Sequence, residues 1–145
     1  MFEISDFYDY CKQHDVDVIP YDGCPKEGAT IRDAGFYAVF LDFTKIKSTR
    51  LLRGVCYHEL GHVATGALHK VDSPFELAER SEYRANRWAA ETFLTEDSFR
   101  EAFSGGFTEL WQLEEYFDLP EANIRAALNY WTDRRGIDFT KQETE

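Results

Sequence analysis

Basic residues are scarce in this chain: 16 Lys and Arg stand against 27 Asp and Glu, a net charge of −11. A surface that neutralises phosphates needs the opposite field, which argues against direct nucleic-acid binding. Cysteine is sparse too. Cys11, Cys24 and Cys56 cannot all pair, and none stands in a C-x-x-C or other zinc-ribbon spacing. Three reduced thiols are the simplest reading. No apolar run approaches the roughly eighteen residues that a membrane span requires. Met1-Phe2-Glu3-Ile4-Ser5-Asp6 carries acid where a secretory signal carries base, which predicts a cytoplasmic chain. Internal repeats, low-complexity tracts and linkers are missing as well. What is plentiful is apolar: 43% hydrophobic and 16% aromatic over 145 residues, enough for one domain with a proper core.

Ile4, Phe7, Tyr8 and Cys11 recur at i, i+3, i+4, i+7, so residues 4–14 predict a short amphipathic helix. The β-branched stretch Val16–Tyr21 predicts a strand, and Gly23–Gly28 a loop. Ala29–Arg32 and Phe36–Asp42 flank the turn Asp33-Ala34-Gly35, so a hairpin completes a small sheet of about three strands. Helices dominate from there. Ser48 or Thr49 caps one running to about Leu68. Ser73-Pro74-Phe75-Glu76 joins a Ser N-cap to Pro at the first helical position and Glu at the third, opening a helix to about Phe93. Thr95 caps a shorter one ending at Gly105-Gly106, and two more are expected over Thr108–Phe117 and Pro120–Arg135. Gly136 suits a C-cap, and Asp138–Glu145 reads as a charged, fraying tail. The fold class is α+β, one domain over 1–145. Its parts are an N-terminal helix and sheet (1–47), two long helices (48–94), C-terminal helices (95–137) and the tail (138–145).

Within the first long helix stands His58-Glu59-Leu60-Gly61-His62, an H-E-x-x-H pattern. Four residues turn a helix by about 400°, so both imidazoles leave one face, roughly 6 Å apart along the axis. Their nitrogens can converge on one metal ion at about 2.0–2.1 Å. Glu59 lies about 100° further round, poorly placed to ligate and well placed to take a proton from a neighbouring water. Chance supplies such a pattern in roughly one sequence of this composition per hundred. The apolar flanks Val55, Leu60, Val63 and Ala64 predict burial, where His and Glu without partners are costly.

Two His still need a third protein ligand. Twenty residues after His62 comes Glu82-Tyr83-Arg84-Ala85-Asn86, inside the next predicted helix. Glu82 and Asn86 share a face at i, i+4. Glu82 can supply an oxygen ligand, and Asn86 can accept a hydrogen bond from the far ring N–H of a ligand His. Glu79, Glu76 and His69 compete as the third ligand. His69 lies about 10 Å up a straight helix from His62 and reaches the metal only if that helix breaks. The pattern H-E-x-x-H-x-x-G-x-x-H would need Gly and His where Thr65 and Leu68 stand, which rejects that class.

HELGH at His58–His62 followed by EYRANRWAA at Glu82–Ala90 resembles the ImmA/IrrE family of zinc-peptidase-like proteins of bacteria, phages and mobile elements. The second motif of that family reads roughly E-x-x-A-N/D-x-F-A-A, matched here by Glu82, Ala85, Asn86, Trp88, Ala89 and Ala90. The resemblance covers residues from about 30 to 95. It implies a minimal zincin-like domain of the gluzincin type, with Zn²⁺ on His58, His62 and Glu82 and Glu59 as the catalytic residue. It also implies a protein partner, a helix-turn-helix repressor that relatives inactivate to switch on a mobile element or stress response. Two departures stand out. Thr92-Phe93-Leu94-Thr95 lacks the Leu-Met-Pro ending common in the family, and no further regulatory domain is expected after the helical half.

Several points stay open on the sequence alone. Tyr57, Tyr83 and His69 are oxyanion-donor candidates by proximity only. Two His and a carboxylate also suit the facial triad of iron oxygenases, although a Glu inside the motif favours hydrolysis. The rival function is a metal-stabilised module that docks onto a repressor without cutting it. The aromatic run from Phe107 to Trp131 has the spacing of helices burying one stripe, so core packing is expected over a substrate groove.

Overall fold

The chain's apolar stripes meet as the periodicities predict. A computed structural model describes residues 1–68 and 75–141. In order these are α1 (Ile4–Gln13), β1 (Asp17–Pro20), β2 (Gly28–Asp33), β3 (Phe36–Leu41), α2 (Thr49–Thr65), α3 (Phe75–Phe93), α4 (Glu96–Ser104), α5 (Leu110–Phe117) and α6 (Glu121–Asn129). A π-helical turn, Tyr130–Arg134, follows α6 directly.

The three-stranded sheet has the order β1-β3-β2, with β1 parallel and β2 antiparallel to the central β3. The hairpin closes at Asp33↔Phe36 through Ala34 and Gly35, whose φ values of 50° and 84° give the doubly positive turn that suits twisted strands. Alternation divides the faces. Val39 and Leu41 of β3 are fully buried toward the helices, while Phe36 is 71% exposed. β2 is the outer strand, paired on one side only among the described residues. The loop leading into it is tied down by Asp42. That carboxylate is fully buried and accepts from the Thr44 hydroxyl and from the backbone N–H groups of Gly23, Cys24 and Thr44. The Thr44 hydroxyl and these amides outweigh burial and hold its pKa below the usual carboxylate value.

α2 is the axis of the molecule. Ser48 caps it, its Oγ accepting from Leu51 N–H at 3.1 Å. The expected run to Leu68 stops at Thr65, because Gly66 takes φ 66° and its N–H bonds back to the His62 carbonyl at 3.0 Å. α3 crosses α2 at backbone contact: a Cβ on Gly61 would lie 2.6 Å from the Ala85 carbonyl oxygen. The helix-start signal Ser73-Pro74 lies outside the described residues.

The C-terminal helices close the core. Thr95 caps α4 as expected, its Oγ1 accepting from Ser98 N–H at 3.2 Å. The single helix expected over Pro120–Arg135 widens at Tyr130, where the π turn seats the Tyr130 hydroxyl on Glu91 and the Trp131 Nε1–H on the Leu94 carbonyl at 2.7 Å. Leu113, Phe117, Leu119 and Trp131 are buried as the core reading expects, and Trp111 stays 61% exposed. The fraying tail is corrected at its start. Phe139 is buried, 5.5 Å between centroids from both Phe99 and Phe103, because one aromatic ring outweighs its charged neighbours. Residues 142–145 lie outside the described ones.

Candidate metal centre

α2 and α3 together bring His58, His62 and Glu82 to one point. Nε2 of His58 lies 3.1 Å from Glu82 Oε2, and Nε2 of His62 lies 3.1 Å from Glu82 Oε1. The two Nε2 atoms are 3.2 Å apart. One ligand atom from each residue falls within 4.8 Å of the others, and among the described residues no other set of His, Cys, Asp and Glu converges so. Tetrahedral bonds of about 2.0–2.1 Å would put ligand atoms roughly 3.4 Å apart. The observed separations sit just inside that figure. Lone pairs pointed at one another at this range are what a divalent cation satisfies, so the residues fit one.

The helix end explains how His62 is set. Past Gly66 the chain turns back, and the Ala67 carbonyl reaches Nδ1 of His62 at 2.6 Å. A carbonyl only accepts, so Nδ1 carries the proton and Nε2 presents its lone pair to the centre. Ser81 of α3 donates to the same carbonyl. The sequence reading gave this role to Asn86. Asn86 does line the cleft, but at His62 the ring N–H goes to the backbone instead.

Electrostatics follow the same geometry. Burial alone would depress the His62 pKa, yet the Glu82 carboxylate and the Ala67 carbonyl outweigh it and hold it above the ordinary 6.5. Burial would raise Glu82, and the two imidazoles instead hold its carboxyl far below the usual range. The direction favours an anionic Glu82 beside the two imidazoles.

Glu59 stands beside this set and outside it. It is 5% exposed, and its Oε2 accepts from the Thr30 hydroxyl of β2 at 2.6 Å. His58, Glu59, His62 and Glu82 all line one cleft of about 800 Å³. Residues 25–31, with β2, form one wall; Pro120, Asn123 and Ala126 form the other. Glu79 is exposed and takes no part. His69 and the Glu76 side chain lie outside the described residues. Two of the residues named as oxyanion donors by proximity alone are in structural positions. The Tyr57 ring is buried against Phe2 and Phe93, and Tyr83 packs by Tyr130 under the Arg134 guanidinium, both away from the cleft.

Residues 11–129 match the family model of the IrrE N-terminal-like domain, peptidase family M78. The chain belongs to this family. No curated protein and no solved structure matches it. The match reaches well past the two motifs, from α1 through α6, so the C-terminal helices that wall the cleft are part of the IrrE-like domain. The three-stranded sheet beside the H-E-x-x-H helix is that of an α+β, zincin-like peptidase domain. A metallopeptidase family and a convergent His-His-Glu set point to one place for the metal. Among the described residues no helix is long and apolar enough to cross a membrane.

Thr30, Ser81 and the Ala67 carbonyl escaped the sequence reading. Gly66 was the one visible signal, since a glycine two positions before Leu68 offers the left-handed stop that sends the chain back toward His62.

Proposed function

We propose that this chain is a zinc-dependent endopeptidase that cuts a helix-turn-helix repressor at a specific site. The observation that carries the hydrolytic part is the Glu59 carboxylate, buried beside the His58, His62 and Glu82 set and sharing its cleft. A purely structural metal site takes a fourth protein ligand and has no need of such a group. Zinc on these three side chains supplies an acidified water and a Lewis acid for the scissile carbonyl. Glu59 takes the proton from the attacking water and returns it to the leaving amine. His62 is held in the ligating tautomer by Ala67, and Glu82 keeps both imidazoles oriented. The outer edge of β2, unpaired among the described residues, suits an extended peptide, which would gain main-chain hydrogen bonds there while its carbonyl lies near Glu59.

The repressor and the mobile-element or stress-response switch rest on the family resemblance; action in the cytoplasm rests on the acidic N-terminus and the unpaired cysteines. Zinc rests on the family resemblance, and the glutamate within the motif favours hydrolysis over iron-oxygenase chemistry. The test uses untagged protein with the repressor encoded beside it. Wild type should carry near one equivalent of zinc and cut the repressor; Glu59→Gln should keep the zinc and lose the cut. Inactivation of the repressor by Glu59→Gln would favour docking without cleavage.

A further inference from the structure

We propose that Thr30 is a positioning residue for Glu59: its hydroxyl holds one carboxylate oxygen and leaves the other to accept the proton. This rests on the hydrolytic reading above. A glutamate 5% exposed needs hydrogen-bond partners, and the one described for Glu59 is Thr30 Oγ1–H at 2.6 Å, in the charge-assisted range. The last torsion of a glutamate is broad and roughly two-fold, so a free carboxylate turns easily. With Oε2 engaged, that freedom is lost and Oε1 remains as acceptor.

The approach of β2 to α2 is built for this contact. A Cβ on Gly28 would lie 2.7 Å from Val55 Cγ1 and 3.4 Å from Glu59 Cγ, so the strand comes this near only without a side chain there. Residue 30 is two positions on and therefore points to the same face. Asp42 fixes the end of β3 to the loop before β2 through Gly23 and Cys24. A half-buried strand position is served at least as well by Val as by Thr. The hydroxyl is what distinguishes them, and its partner is Glu59.

The test compares Thr30→Val, which keeps the shape and loses the donor, with Thr30→Ser, which keeps the donor. Glu59→Gln serves as reference, and all are full-length, zinc-loaded chains. Acetohydroxamic acid is the probe, because it chelates the metal while sharing a proton with a neighbouring carboxylate, and its equilibrium binding needs no turnover. Thr30→Val should weaken binding roughly tenfold at unchanged zinc content and melting temperature, with Thr30→Ser within about twofold of wild type. On any peptide the wild type cleaves, kcat should fall in Thr30→Val with KM unchanged, and return in Thr30→Ser. Binding and kcat in Thr30→Val equal to wild type would overturn the proposal, as would equal loss in Val and Ser variants. Equal probe binding by wild type and Glu59→Gln would instead remove Glu59 from the chemistry, overturning the hydrolytic reading and this inference with it.

Discussion

Two glycines of α2 sit at close crossings with other helices, and the two junctions are finished differently. At Gly54 a Cβ would lie 2.6 Å from Pro120 Cδ; at Gly61 it would lie 2.6 Å from the Ala85 carbonyl oxygen. Both junctions bury polar side chains. At the first, Arg53 is 5% exposed, and its Nε donates to the Asp118 carbonyl at 2.8 Å. Its Nη1 donates to Glu3 at 3.0 Å and its Nη2 to the carbonyls of Phe2 and Phe117. At the second, two imidazole nitrogens and two carboxylate oxygens face one another, with more lone pairs than protons once the imidazoles are neutral. Close approach alone therefore says nothing about function. Whether the buried polar groups complete one another does: Arg53 meets acceptors on every side, whereas His58, His62 and Glu82 bring ligand atoms within 4.8 Å of one another in an arrangement that could hold a metal ion.

The sharpest way to break this contrast is Glu82→Ala. Metal content, measured on untagged protein, should fall from near one equivalent to background, while at alkaline pH, where His62 is neutral, the metal-free form melts close to wild type. Zinc retained in full would place the third ligand elsewhere and dissolve the distinction. Arg53→Met should behave in the opposite way. It leaves three carbonyls and Glu3 without their donor, which costs about 3 kcal/mol and on the order of 10 °C in Tm, with metal content intact. Loss of metal in that variant would mean the two junctions are one cooperative unit.

A finer cut comes from the two glycines. Gly61→Ala and Gly54→Ala both overpack a helix crossing, at about 1–3 kcal/mol each. Gly61→Ala also pushes apart the two helices that supply the ligands, so it should weaken zinc binding at least tenfold. Gly54→Ala should leave zinc affinity within about twofold. Equal effects in a competition titration would show that the spacing of α2 from α3 does not set the site.

The legible parts of this molecule were those governed by local period. His58 and His62 share a face by helical spacing on one helix, whereas Glu82 on α3 stood level with Glu79, Glu76 and His69 as a carboxylate or imidazole nearby, and the family resemblance favoured it. The hairpin announced itself through Gly35. The partners that finish the site were not local. Thr30 reaches Glu59 across 29 residues only because Gly28 lets β2 settle on α2. Ser81 reaches the Ala67 carbonyl because Gly66 breaks the helix three residues earlier than periodicity suggested. Apolar spacing carries no record of a backbone carbonyl turned inward. The π turn at Tyr130 and the docking of Phe139 were missed for a related reason, since each depends on a contact made by another helix.

Acidity should separate the junctions once more, more gently. In the metal-free protein His62 holds its proton above the ordinary 6.5 because Glu82 and the Ala67 carbonyl stabilise the cation against burial. Zinc must displace that proton, so its affinity should fall at least about tenfold per pH unit once the pH drops below the raised His62 value. Glu82 adds nothing in this range, because its carboxyl stays ionised far below the usual value. Stability of the metal-free protein runs the other way. A histidine whose pKa is raised on folding contributes fully below its unfolded value and loses that contribution as pH rises through its folded value. Between about pH 6 and pH 8 the metal-free Tm should therefore decline while zinc binding tightens. The Arg53 junction is made of a guanidinium, carbonyls and a carboxylate and holds no imidazole. His62→Asn, melted metal-free over the same range, should flatten the Tm trend. A slope that survives this substitution would assign the titration to another group and leave the imidazole–carboxylate contact without measurable weight in the fold.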